Sequence, residues 1–226
     1  MCEAETEAPS APVAAERLIV FVKAPRPGFV KTRIVEAHGA EAAAAIYRTL
    51  VERVLANLAG LSEVELRFAP DDALPEIEPW LSCGWRAWPQ GEGDLGARLQ
   101  RAFAEAFAAG ARRVVVVGSD CPDVCAEDIR EAWQALATAD VVLGPANDGG
   151  YWLIGLAQPQ PRLFADMSWS KAEVFCQTVE RAGSFGLRVA QLRQLADVDT
   201  AADWQNFVAG FSQAAEHGGE VRAGRS

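Results

Sequence analysis

Short apolar runs alternate along this chain with longer stretches in which apolar residues return every three or four positions. The runs 18–22, 64–69, 114–118, 141–143, 151–156 and 187–192 predict strands, with a shorter one near 85–88. Helical spacing predicts helices over about 40–59, 74–81, 95–109, 127–137, 171–181 and 200–207. Runs such as Leu18-Ile19-Val20 and Val114-Val115-Val116-Val117 have no polar face, so their strands are buried on both sides. The expected fold is therefore α/β: a three-layer sandwich with a mostly parallel central sheet between two layers of helices. Residues 1–15, rich in Ala, Glu, Pro and Thr, and residues 212–226 lack periodicity and are expected to be disordered tails. A single domain over 16–211 remains, with no internal repeat.

In a sheet of this kind ligands gather beyond the carboxyl ends of the strands. The segments falling there are KAPRPGFVKTR (23–33), SDCPD (119–123), NDGG (147–150) and DVDT (197–200). Cations come first along the chain and carboxylates follow. Lys23, Lys31 and Arg33 surround a Pro-Gly bend, with Lys a point charge for phosphate, Arg a bidentate fork, and a helix start nearby. The segment suits a di- or triphosphate, the alternative being a solvated basic turn. It is not a P-loop, because Gly28-x-x-Lys31-Thr32 lacks the upstream glycine and the full spacing.

Asp120 lies just beyond Val114-Val115-Val116-Val117-Gly118, a run apolar enough for a central strand, and Pro122 turns the backbone just after it, leaving a carboxylate at the mouth of the sheet. Mg²⁺ is typically held by one or two carboxylates together with substrate phosphate oxygens. Asp197 and Asp199, two residues apart, point the same way if extended, and Asp199 is expected to share a metal, Mg²⁺ or Mn²⁺, with Asp120. Asp123, Asp128 and Asp203 read instead as helix caps or turn residues. Asp148, Gly149 and Gly150 permit a tight turn that brings amides and a carboxylate to an acceptor, or simply leads into the next strand. Trp169 is placed to stack on a ligand, and Ser170 either joins it or caps the following helix.

One motif points elsewhere. Gly91-Glu92-Gly93-Asp94-Leu95-Gly96 matches the G-x-G-x-x-G fingerprint of dinucleotide-binding folds, and Asp120 lies 24 residues beyond Gly96, near the place of a ribose-binding acid. The match fails on context. Pro89 interrupts the preceding segment, and the unit that should carry the fingerprint, after the first strand, carries the cationic loop instead. The glycines then mark the start of a helix at the border of the site, with Arg98 a candidate nucleotide contact.

Composition narrows the chemistry. A formal charge of −10 argues against nucleic acid as a partner, although Glu3, Glu5 and Glu7 supply part of it. No apolar run reaches the roughly 18 residues of a membrane span, and the first residues lack the basic start of a signal peptide, so a soluble, cytoplasmic protein is expected. The cysteines, five in number, include no C-x-x-C pair, and two histidines leave little for imidazole catalysis or zinc.

Taken in order, KAPRPGFVKTR, GDLGAR, VVVVGSDCPD, VLGPANDGGYWLIGL, MSWSKAEVFCQTV and LADVDTAADW resemble a family of small bacterial transferases with the nucleotide-diphospho-sugar transferase (GT-A) fold. Its members are glycosyltransferase-like, or radical-SAM/selenodomain-associated, transferases, and the likeness runs from about residue 17 to 207. The opening segment also resembles the 2-phospholactate guanylyltransferases and, more distantly, the molybdenum-cofactor nucleotidylyltransferases. The resemblance implies that Lys23, Pro25, Gly28, Lys31 and Arg33 bind the nucleotide phosphates, that Asp120 and Asp199 bind Mg²⁺, and that Asp148, Gly149 and Gly150 face a small-molecule acceptor. Lys31, Arg33 and Asp120 would carry catalysis. Two departures stand out: Pro25 and Pro27 replace the glycines of the broader nucleotidyltransferase loop, and Ser119-Asp120-Cys121 stands where glycosyltransferases have Asp-x-Asp. Three readings follow: nucleotidyl transfer from a nucleoside triphosphate, glycosyl transfer from a nucleotide sugar, and a non-catalytic nucleotide sensor.

Overall fold

A computed structural model of the chain describes residues 15–169 and 172–220. Seven strands form one sheet in the order β3-β2-β1-β4-β6-β5-β7: β1 (Glu16–Lys23), β2 (Val64–Ala69), β3 (Arg86–Pro89), β4 (Arg113–Val117), β5 (Val141–Pro145), β6 (Tyr151–Leu156) and β7 (Val189–Gln191). Neighbours pair in parallel except β6, which runs against both β4 and β5. The expected mostly parallel, three-layer arrangement is the one observed.

The helices are α1 (Thr32–His38), α2 (Ala40–Leu58), α3 (Leu74–Ile77), α4 (Leu95–Ala108), α5 (Ala126–Ala135), α6 (Val174–Ser184) and α7 (Ala201–Glu220). On one face of the sheet Leu18, Val20 and Val22 of β1 and Val115 and Val117 of β4 pack with α2, α3 and α5. On the other, Ile19, Val114 and Val116 meet Leu99, Ala102, Phe103 and Ala106 of α4 and Ala182 of α6. This is the period-two alternation of a strand buried on both faces. Each such aliphatic side chain contributes about 1.5–3 kcal/mol by leaving water. A third cluster joins Ile34 of α1, Ala43, Ile46 and Leu50 of α2, and Val198.

Several boundaries differ from the sequence reading. No helix was expected over α1, which has few apolar residues to mark it. The helix expected from 171 begins at Val174, and Lys171 lies outside the described residues. The strand expected over 187–192 pairs only at Val189–Gln191, and α7 continues past 207 to Glu220. β3 includes Pro89, which is tolerated because this strand is an exposed edge of the sheet.

Candidate functional site

A cavity of about 620 Å³ opens at the carboxyl ends of β1 and β4 and beside the β5–β6 turn. Its cations come from the β1 end and from α4; its carboxylates come from the loops after β4, β5 and β7.

The first loop is held from outside the cavity. Arg26 donates to Glu76 and Asp72 at 2.6 and 3.1 Å, so this cation is spent on fixing the turn. Gly28, at φ +83°, makes the bend, and neither it nor Pro25 is among the described residues lining the cavity. Lys23 and Arg33 do line it. The Lys23 backbone amide donates at 2.8 Å to the hydroxyl of Tyr47, which also meets Ser119 Oγ at 2.9 Å. Tyr47, buried on α2, thus ties the end of β1 to the residue before Asp120.

Lys31 caps the start of α1 in a left-handed conformation, φ 47° and ψ 47°. Its side chain is 5% exposed and its ammonium is bonded to Asp120 Oδ1 and, at 2.9 Å, to Asp199 Oδ1. Burial by itself would lower the lysine pKa. The charges of Asp120 and Asp199 outweigh it and hold the group above the ordinary lysine value, so Lys31 is charged at neutral pH. The two carboxylates expected to share a metal therefore share this ammonium. Arg33, largely exposed, lies 4.0 Å from Asp199 Oδ2.

The last carboxylates arrive by backbone pairing. Beyond β7 the chain continues along the end of β5, where Leu195 bridges Ala146 and its carbonyl accepts from Asn147 N at 3.1 Å. Val198 N then donates to the Asp120 carbonyl at 2.9 Å. This course brings Asp197 and Asp199 next to Asp148, and one carboxylate oxygen of each of the three lies within 4.8 Å of the others. Burial, then the charge of Asp148, raises the Asp197 pKa. Crowded hard oxygen donors of this kind fit a divalent cation, which would relieve their repulsion. Asp148 is placed by its own turn: Oδ1 accepts from Gly150 N at 2.8 Å, and Gly149 at φ +87° passes so near Ala172 that a Cβ would meet its carbonyl oxygen at 2.0 Å.

The glycine-rich segment has another use. Asp94 caps α4, accepting from Ala97 N at 2.9 Å, while Gly91 and Gly93 take positive φ. Gly96 lets α4 approach Trp169 and the Phe164 carbonyl, both 2.8 Å from where a Cβ would stand. Arg98 projects from α4 into the cavity wall, where it donates to Gly93 O at 3.0 Å and to Gln90 Oε1 at 3.2 Å. Gln90 is itself buried, with its amide donating to the Val22 and Arg67 carbonyls at 2.9 Å.

Lys23, Lys31, Arg33, Arg98, Asp120, Asp148, Gly150, Trp169 and Asp199 thus line one cavity, Gly149 shapes it, and Ser170 lies outside the described residues. Sequence reading missed Tyr47, Ser119, Gln90 and Arg26. No short motif marks Tyr47 or Gln90, Ser119 stands in the SDCPD segment but without a role of its own, and Arg26 differs from its neighbouring cations only through a partner on α3. Cys121 is buried, and burial foremost pushes its thiol pKa up, so it stays a thiol rather than a thiolate nucleophile. Cys125 and Asp128 form the cap of α5. No helix among the described residues is long and apolar enough to cross a membrane.

Among known structures, a protein of Desulfovibrio desulfuricans G20 provisionally named a nucleotide-diphospho-sugar transferase is 40% identical, with a TM-score of 0.76 over 83% of each chain. The 4-diphosphocytidyl-2C-methyl-D-erythritol synthase of Anaerococcus prevotii shares the fold at 10% identity, TM-score 0.57, over 88% of this chain and 100% of its own. Rv0371c of Mycobacterium tuberculosis H37Rv, in complex with manganese, does so at 16% identity, TM-score 0.51, over 85% of this chain and 97% of its own. No curated protein matches the chain. Residues 53–171, which run from α2 through the β4 and β5 loops to the residues after Trp169, match DUF2064, described as an uncharacterized protein conserved in bacteria, and the chain belongs to that family.

Proposed function

We propose that the protein is a divalent-cation-dependent transferase that moves a nucleotidyl group from a nucleoside triphosphate to a small phosphorylated or hydroxylated acceptor. The observation that carries this reading is that both signs of charge meet in one cavity: Lys23, Lys31, Arg33 and Arg98 line it together with Asp120, Asp148, Asp197 and Asp199, and the Lys31 ammonium lies between Asp120 and Asp199. The provisional name of the 40% identical neighbour and the cytidyl chemistry named in a fold neighbour agree with a nucleotide as substrate. The six ordered motifs also support the narrower kinship with radical-SAM/selenodomain-associated transferases.

In the transfer, an acceptor oxygen attacks the α-phosphorus, the bond from that phosphorus to the bridging oxygen breaks, and pyrophosphate leaves. Lys23 and Arg33 draw the phosphates to the end of β1, and Arg98, fixed by Gln90 and Gly93, meets them from α4. Lys31 stabilises the charge that grows on the leaving oxygens. The carboxylates of Asp120, Asp148, Asp197 and Asp199 are the groups that would hold a divalent cation, Mg²⁺ or Mn²⁺, which would supply neutralisation of phosphate charge. The β5–β6 turn and Trp169 receive the acceptor. An acceptor phosphate is already an anion, so no histidine base is required; a hydroxyl acceptor would pass its proton to Asp148 at the β5–β6 turn.

A second reading, glycosyl transfer from a nucleotide sugar with Asp148 as base, is favoured by the provisional name of the 40% identical neighbour. Product analysis separates the two, since the first releases pyrophosphate and the second a nucleoside diphosphate. The test incubates the protein with triphosphate and sugar-nucleotide panels and phosphorylated acceptors, with and without Mg²⁺ or Mn²⁺. We expect pyrophosphate, and a fall of about three orders of magnitude on Asp120→Ala. Absence of turnover with every triphosphate, or nucleotide binding untouched by Asp120→Ala without turnover, overturns it, the latter in favour of a sensor.

A further inference from the structure

The position between Asp120 and Asp199 is filled by a residue 89 positions from the first and 168 from the second. Three features of Lys31 go together there. Its side chain is nearly inaccessible at 5% exposure, its ammonium lies between two carboxylates from different loops, and its backbone is left-handed without being glycine. A non-glycine residue held in that region costs about 1–3 kcal/mol and persists only where its surroundings demand it. The turn into α1 holds Lys31 in this conformation, and its side chain ends between the two carboxylates. Without a cation between them, Asp120 and Asp199 would face each other as like charges at the mouth of the sheet.

We propose that Lys31 is a built-in cation that occupies a divalent-ion position between Asp120 and Asp199 and excludes a metal ion from it until the lysine is drawn away. The resting protein then has two neighbouring cation positions that share Asp199. One, among Asp148, Asp197 and Asp199, is open to a divalent ion; the other is closed by Lys31. The inference rests on the transferase reading only for what draws Lys31 off, which is the phosphate chain of the nucleotide. In that case the nucleotide and the ion between Asp120 and Asp199 enter together, and a free ion does not take that place ahead of the nucleotide.

The test counts Mn²⁺ bound by the nucleotide-free protein, from free-ion electron paramagnetic resonance during titration. Lys31→Met is expected to take up about one more Mn²⁺ per chain than the wild type, and adding Asp120→Asn to it should remove the extra ion. In the wild-type background, Asp120→Asn alone should leave Mn²⁺ uptake unchanged, because Asp120 is already engaged by Lys31. Equal uptake by Lys31→Met and wild type overturns the proposal. So does a loss of Mn²⁺ on Asp120→Asn alone, which reads the same question if Lys31→Met does not fold. The outcome is independent of product analysis: turnover can be absent while the Mn²⁺ contrast stands, and the contrast can fail while pyrophosphate is still released.

Discussion

Asp128 and Asp203 each stand near the start of a helix and bond its first backbone amides, and Asp128 also holds the distant Arg193. Asp128 accepts from Cys125 N at 2.8 Å and from Arg193 at 2.6 and 2.8 Å, and Asp203 accepts from Thr200 N at 2.7 Å while its own backbone N donates to Thr200 Oγ1 at 3.2 Å. Burial pulls the Asp128 pKa upward, but Arg193 and the Cys125 amide outweigh it and hold the carboxyl below its ordinary value. A depressed carboxyl stabilises the fold fully above its unfolded value, near pH 4, and progressively less as pH falls through the folded one. Asp128→Asn should therefore cost about 1–2 kcal/mol at pH 7, and the difference from wild type should shrink below pH 4; denaturant midpoints across that range measure it. Both roles were legible from sequence, because a cap and its helix are a few residues apart. The grip of Lys31 on Asp120 and Asp199 was not. The residue types and their loops could be read, but an ion pair spanning most of the chain depends on where the backbone brings those loops together.

Among the elements, the β5–β6 turn shows how narrow the tolerance of the site is. Gly149 and Gly28 have nearly the same φ, yet a Cβ on Gly149 meets the Ala172 carbonyl whereas one on Gly28 meets nothing within 4 Å. Gly28→Ala should cost only its left-handed backbone, about 1–2 kcal/mol. Gly149→Ala should cost more than that and also weaken Mn²⁺ binding, since it displaces the turn that holds Asp148; thermal melts and Mn²⁺ titrations of the two variants test the contrast. The long amphipathic helices and the buried strands were legible because their periodicity persists over many residues. Helix α1 was not, for it offers only Ile34 as a fully buried residue and follows a Pro-Gly bend that reads as loop. The glycine fingerprint misleads for a related reason. Its glycines serve turns and the close approach of α4 to Trp169, needs that produce the same letters as a pyrophosphate cradle.

For the whole molecule, the proposed binding of nucleotide and cation can be read as stability. A ligand at about 100 times its dissociation constant stabilises the native state by about 2.7 kcal/mol, which in a domain of this size raises Tm by roughly 5–11 °C. The preferred triphosphate with Mn²⁺ should reach that range, and either ligand alone should fall short of it, because Lys31 blocks one cation position until phosphate arrives. Additive shifts from the two ligands given separately would contradict this coupling. The three-layer fold itself was legible, since a core of apolar strands and one-sided helices has few other solutions. The reversal of β6 was not read, because a strand buried on both faces has the same composition in either direction. That reversal has a consequence for change over time and in the laboratory. Because β6 returns directly along β5, the loop bearing Asp148 is one short hairpin spanning Ala146 to Gly150, whereas the loop bearing Lys31 is bound to residues far away in sequence. The Asp148 hairpin is thus local in the chain but not in space: it also holds Leu195 and Phe175 by backbone bonds, so a hairpin of another length should carry Asp148 away from Asp197 and Asp199 while leaving the grip of Lys31 on Asp120 in place.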